Sequence, residues 1–296
     1  MTEPSNLGAV PRPAAPPGFE LHAGALRLAL RPDLGGSIAG LWHGDTPVMR
    51  STEPLALGTS RAASAYPLVP YSGRLAYCRF RWEGQDHTTV ANFGDSPHSV
   101  HGIGWLRPWE IVSSSALEVV LRLRHAGDAE WPFPFEVSQY FTLSPQAMSV
   151  QMVFTNTANQ PQPVGLGWHP YFPKRSRSRL HAEVSARWDA DAAELPTRLV
   201  VQPGIDADVA NLQFDNVFEG WRGAARIRDE TLSLQLSSSL TYLVVYTPPA
   251  RDYFCVEPVS HVANAINTAD PAALGLRTLE PGEVTEASMK LEVTVV

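Results

Sequence analysis

The sequence predicts an all-β protein, a large antiparallel β-sandwich with few short helices, and three observations carry that prediction. Apolar residues recur with period two in at least seven segments, the spacing of strands with one buried face. The 296 residues include 26 prolines and 21 glycines, so turns are frequent and long helices are not. No apolar stripe of helical period is sustained anywhere.

In chain order, residues 1–17 carry Pro4, Pro11, Pro13, Pro16 and Pro17 among small residues, a composition that buries no core and reads as a flexible tail. Ordered sequence is expected from Phe19. Residues 18–296 are expected to form one domain, because no internal repeat or break in composition divides them. Leu26, Leu28 and Leu30 alternate with Arg27, Ala29 and Arg31. Leu117, Val119, Leu121 and Leu123 follow, then Phe135, Val137, Phe141 and Leu143, then Val150, Met152 and Phe154. Later runs are Leu232, Leu234 and Leu236; Tyr242, Val244 and Tyr246; and Met289, Leu291, Val293 and Val295. Gly, Pro, Asn and Asp clusters separate them, as in a sandwich. Short helices are expected only around 187–194 and 206–213.

Composition narrows the class. With 44% hydrophobic residues the chain can bury a sizeable core. Lys and Arg number 23 against 30 Asp and Glu, a net charge of −7, which argues against nucleic-acid and anionic-membrane partners. No apolar run approaches the roughly 18 residues needed to span a bilayer. Cys78 and Cys255 make no disulfide framework and are expected as free thiols. The N-terminus lacks a basic segment followed by an apolar core, so a soluble, cytoplasmic protein is expected.

Three stretches hold chemistry. In VGLGWHPYF, an extended chain places Leu166, Trp168, Pro170 and Phe172 on one face, and Gly165, Gly167, His169 and Tyr171 on the other. Glycines mark close approach to a strand, so the second face reads as a floor with room for a ligand; a histidine satisfied in the core is the equal alternative. In YFCVEPVSHVANAIN, Glu257 ends an apolar strand and Pro258 sets it at a sheet rim. Such a carboxylate is a paired structural charge or a site residue with a tuned pKa, and on its own the structural reading leads. HSVHGIGWLRPW combines His98 and His101 with glycines and tryptophans. An H-x-x-H pair can ligate metal, but no further ligand motif accompanies it, and no metal is expected. Aromatic faces with polar tips also suit a sugar. Arg74 in PYSGRL and Asp215 in FDNVFEGW, taken alone, read as surface residues. The run Lys174, Arg175, Arg177, Arg179 could hold an anionic group, although a solvated loop is the favoured reading.

PYSGRL, HGIGWLRPW, GLGWHPYF, FDNVF and CVEPVSHVANAIN, in this order between about residues 67 and 267, together resemble the aldose 1-epimerase (galactose mutarotase) family. The resemblance implies the galactose mutarotase-like sandwich and a cofactor-independent isomerase acting on a small-molecule sugar. It implies that His169 is the general acid toward the ring oxygen and Glu257 the general base toward the anomeric hydroxyl. Arg74 and His101 match residues that hold the sugar, and Asp215 matches an aspartate that reads ring hydroxyls. Two positions depart from the family pattern: Gly73 stands where Asn often precedes the arginine, and Ala263-Asn264-Ala265 stands where an Asp is usual.

The chemistry agrees with that residue set. Exchanging anomers needs a proton taken from O1 and one delivered to the ring oxygen, which a carboxylate and an imidazole supply without metal or nucleotide. Three other readings compete: a glycoside hydrolase using Glu257 with Asp215, a non-catalytic carbohydrate-binding protein, and a mutarotase of a phosphorylated or sulfonated sugar held by the 174–179 run.

Overall fold

A computed structural model of the chain describes residues 18–296; the Pro-rich stretch 1–17 lies outside the described residues. Two antiparallel sheets dominate. One has nine strands in the order Glu110–Ser114, Glu118–His125, Phe135–Ser144, Ala147–Asn156, Val284–Val295, Leu232–Ser238, Ala224–Arg228, Arg179–Ala182 and Ile205–Asp208. The other has eight: Pro196–Val201, Ala186–Ala190, Asp215–Glu219, Tyr242–Tyr246, Tyr253–Val259, Gly167–Trp168 and Pro67–Leu68 in a row, with Tyr171–Pro173 also pairing with Tyr253–Val259. A smaller sheet of Phe19–Ala23, Leu26–Arg31, Ser37–His43 and Thr46–Pro47 opens the described chain.

Alternation explains the sandwich. Val119, Leu121, Val137, Phe141, Val150, Met152, Phe154, Leu234, Met289 and Leu291 turn inward from the nine-stranded sheet. Leu243, Val245, Phe254, Val256, Trp168 and Phe218 from the eight-stranded sheet join the same core. Each fully buried side chain of this size contributes about 1.5–3 kcal/mol. The outward positions are polar and pair across strands, as Arg124 does with Glu136 at 2.8 Å. One polar link crosses the core, where the Trp168 indole N–H donates to Gln139 Oε1 at 3.1 Å.

Four expectations change. Leu117 precedes the strand Glu118–His125 and is exposed, so its alternation starts one pair later. In Tyr242–Tyr246 the core face is Leu243 and Val245; Tyr242, Val244 and Tyr246 look the other way and are half-buried. The segment 187–194 is strand Ala186–Ala190 and a turn, because sheet partners on both sides supply hydrogen bonds that so short a helix cannot match. Around 206–213 the chain is strand Ile205–Asp208 followed by one 3₁₀ turn, Val209–Asn211. Among the described residues, no helix is long and apolar enough to cross a membrane.

Candidate active site

The site begins with strand register. Tyr253–Val259 turns Phe254 and Val256 into the core, so Cys255 and Glu257 project from the opposite face. Those two are buried as well, at 0% and 2% exposure, because Tyr66, Leu68, Trp105 and Tyr171 pack over that face. Along the neighbouring edge, Gly167 pairs with Val259 and Tyr171 with Cys255. His169 therefore stands opposite Glu257, at the point where Pro170 lacks an N–H and breaks the ladder. Directly opposed residues have Cβ atoms about 4.5–5.5 Å apart, and His169 Nε2 lies 3.4 Å from Glu257 Oε1.

The surroundings hold the imidazole in place. Its backbone N–H donates to Tyr66 O at 3.0 Å. Its ring stacks on Tyr171, with centroids 4.5 Å apart, and meets the edge of His101 at 5.2 Å. Arg50 lies over the Tyr171 ring at 3.7 Å. His101 has a left-handed backbone, φ 64°, and its Nδ1 accepts the Gly73 N–H at 3.0 Å, leaving the proton of a neutral ring on Nε2. Burial, then the Arg74 charge, lower the His101 pKa to about 3.

All five residues singled out in the sequence, Arg74, His101, His169, Asp215 and Glu257, line one cleft of about 510 Å³ on this outer face. Arg74 reaches across it to Glu194, Nη2 to Oε2 at 2.5 Å, while its buried Nε has no partner. Glu194 sits at the tip of the hairpin of Ala186–Ala190 and Pro196–Val201, in a left-handed conformation. Asp215 starts the strand Asp215–Glu219 and pairs with Tyr246. Crowding in the cleft raises its pKa, an effect Arg74 opposes. Burial first, and Asp215 second, push Glu257 well above the ordinary carboxylate range. Burial, His101 and Arg50 push His169 well below the ordinary imidazole range. Both shifts favour the uncharged form of each group.

Other motif residues play different parts. His98 is buried, its Nδ1 accepting the Tyr77 N–H at 2.9 Å and its Nε2 against Ala193 O at 2.9 Å, so both ring nitrogens are spoken for. The glycine floor is filled by protein: a Cβ on Gly165 would fall 2.0 Å from the His261 ring, and one on Gly167 would fall 2.9 Å from Pro258 O. Ligand space lies beside His169 and Tyr171 instead. His261 accepts the Ser72 N–H at 3.0 Å and so ties the loop before Arg74 to the end of the Glu257 strand. The two departures from the family pattern touch, since a Cβ on Gly73 would lie 2.5 Å from that of Ala263. The basic run faces away from the cleft: Arg175 pairs with Asp229 at 2.6 Å, Arg179 with Asp206 and Asp208, and the Lys174 ammonium donates to Pro248 O. None of the four side chains, Arg177 included, lines the cleft. Phe93, Trp188, Glu194 and Tyr246 also line the cleft and were not singled out in the sequence; only Tyr246 carried a signal, as the outward face of an alternating strand.

The profile of the family described as Aldose 1-epimerase matches residues 18–292. YphB of Escherichia coli K12, a protein of uncharacterised activity, is 32% identical over 295 residues, covering 93% of this chain and 98% of that one. A crystal structure of a provisionally assigned aldose 1-epimerase from Escherichia coli K12 is 30% identical, with a TM-score of 0.84, covering 94% of this chain and 99% of that chain. A galactose mutarotase-like protein from Clostridium acetobutylicum shares the fold, with a TM-score of 0.82 at 19% identity over 94% of this chain and 95% of its own.

Proposed function

Because the chain belongs to the aldose 1-epimerase family, we propose that it is an isomerase interconverting the α and β anomers of a free aldose, with no metal or nucleotide. The observation that carries this reading is the 3.4 Å contact of His169 with Glu257 on the cleft floor. Glu257 takes the proton from the anomeric hydroxyl, His169 gives one to the ring oxygen, and the bond from C1 to the ring oxygen breaks. The open aldehyde turns about C1–C2, and reclosure returns both protons with the roles of acid and base exchanged. Arg74, His101 and Asp215 hold the sugar hydroxyls while C1 turns.

The pair shares one proton. With that proton on Glu257 it is neutral, and with it on His169 it is the working ion pair. Both forms bind the same number of protons, so pH does not set their ratio. Sugar hydroxyls donating to the Glu257 carboxylate stabilise the ion pair, and binding thereby prepares the acid and the base together. Hydrolysis is less well supported, because the contact partner of Glu257 is an imidazole and not a second carboxylate. A simple sugar-binding role leaves this matched pair without a purpose.

The test is anomer interconversion by polarimetry or saturation-transfer NMR with freshly dissolved α-galactose, α-glucose and pentoses. Wild type should accelerate at least one sugar. Glu257→Gln should lower turnover about 10²–10⁴-fold with binding largely retained, and His169→Asn should slow both directions. Near-normal turnover in either variant would remove that residue from the mechanism.

A further inference from the structure

Cys255 has no part in the chemistry above, yet it stands beside both reacting groups. It precedes Glu257 by two residues on one strand, so the two side chains share a face. Its Sγ, a His169 ring nitrogen and a Glu257 carboxylate oxygen all lie within 4.8 Å of one another. Around a tetrahedral ion with bonds of about 2.0–2.1 Å to N and O and about 2.3 Å to S, neighbouring donors stand about 3.4–3.6 Å apart. The His169–Glu257 edge, at 3.4 Å, already has that length. Closing the thiol edges asks for little more than about 1 Å.

A second observation points to a ligand. His169 is 8% exposed, and its Nε2, the nitrogen that faces Glu257, has no other polar partner among the described residues. No hydrogen bond reaches the Glu257 carboxylate among the described residues other than the His169 contact. We infer that Cys255, His169 and Glu257 form an inhibitory site for one thiophilic divalent cation such as Zn²⁺, which engages the nitrogen and oxygen the acid–base pair would use. Binding releases two protons to solvent, one from the thiol and the one that His169 and Glu257 share, and no group changes oxidation state. Thiolate, carboxylate and neutral imidazole then balance the two positive charges within a buried site. A fourth position stays open toward the cleft for water or a sugar hydroxyl. Thiolate and imidazole donors select against Mg²⁺ and Ca²⁺, which prefer oxygen.

Cobalt(II) serves as the probe, since it reports thiolate ligation by a near-ultraviolet charge-transfer band and tetrahedral geometry by visible absorption. The full chain should take up one Co²⁺ with both signals, and Zn²⁺ should displace it. Cys78→Ser should behave like wild type, which assigns the signal to the other thiol. Cys255→Ala and the closer-sized Cys255→Ser, checked by thermal melting to be folded, should lose the charge-transfer band and bind Zn²⁺ at least about 100-fold more weakly. Absence of the band in wild type, or its persistence in a folded Cys255 variant, would overturn the site. Neither readout involves sugar turnover, so it stands or falls separately from the isomerase reading. Given turnover, one equivalent of Zn²⁺ should arrest wild type and Cys78→Ser alike; undiminished turnover in the loaded protein would overturn the inhibitory role.

Discussion

Glu257 shows what one side chain contributes and costs. The folded protein holds its proton far more tightly than the unfolded chain, because burial and Asp215 disfavour the anion. A raised folded pKa gives stability that is full below the unfolded value and is lost as pH rises through the folded one. Each tenfold preference for the proton is worth about 1.4 kcal/mol. Glu257→Gln keeps the shape and cannot ionise. Its melting temperature should therefore match wild type near pH 4 and exceed it increasingly toward pH 8. A difference that does not grow with pH would mean that Glu257 titrates like an exposed carboxylate. The same residue that the reaction needs ionised is thus one that the fold prefers neutral.

At the scale of the element, the Glu257 strand is held in position from both sides and at its end. Gly165 matters here through what its missing Cβ admits, namely the His261 ring that accepts the Ser72 N–H. Gly165→Ala should push that ring aside, cost about 1–3 kcal/mol and loosen the loop that carries Arg74. We expect urea unfolding at lower denaturant and a KM that rises more than kcat falls. Wild-type values of both would show that the ring relocates freely. The elements also show why some of the site could be read from the sequence. Alternation alone put His169 and Tyr171 on one face, whereas Glu257, read as the rim end of its strand, lies inside Tyr253–Val259, which continues through Pro258 to pair with Tyr242–Tyr246. The meeting of His169 with Glu257 across two strands could not be read, because register is set by partners far along the chain. Glu194 gave no sign at all, since it reaches Arg74 over 120 positions from a turn whose backbone, and not its composition, aims it.

For the whole molecule, the sandwich was legible because period-two patterning repeats along most of the chain. What patterning cannot say is which face of an amphipathic strand wins. Tyr242–Tyr246 carries apolar residues on both faces, and the smaller Leu243 and Val245 took the core. The two sheets also share a polar link that no local pattern announces, the Trp168 indole N–H on buried Gln139. Trp168→Phe should leave that acceptor unpaired and a gap beside it, costing about 2–5 kcal/mol. Urea unfolding should shift to lower denaturant with an unchanged slope; an unmoved midpoint would make the link incidental.

His169 and Glu257 face one another because of the pairing of core strands, and this sets the timescale on which their geometry can fail. Backbone amides of Tyr253–Val259 lie under two covered faces and should exchange with deuterated solvent only when the entire protein opens. Amides at the Glu194 tip, held by a few surface bonds, should exchange through local fluctuation far sooner. The wall of the cleft can therefore breathe to admit and release the proposed sugar many times within the lifetime of a single, undisturbed floor.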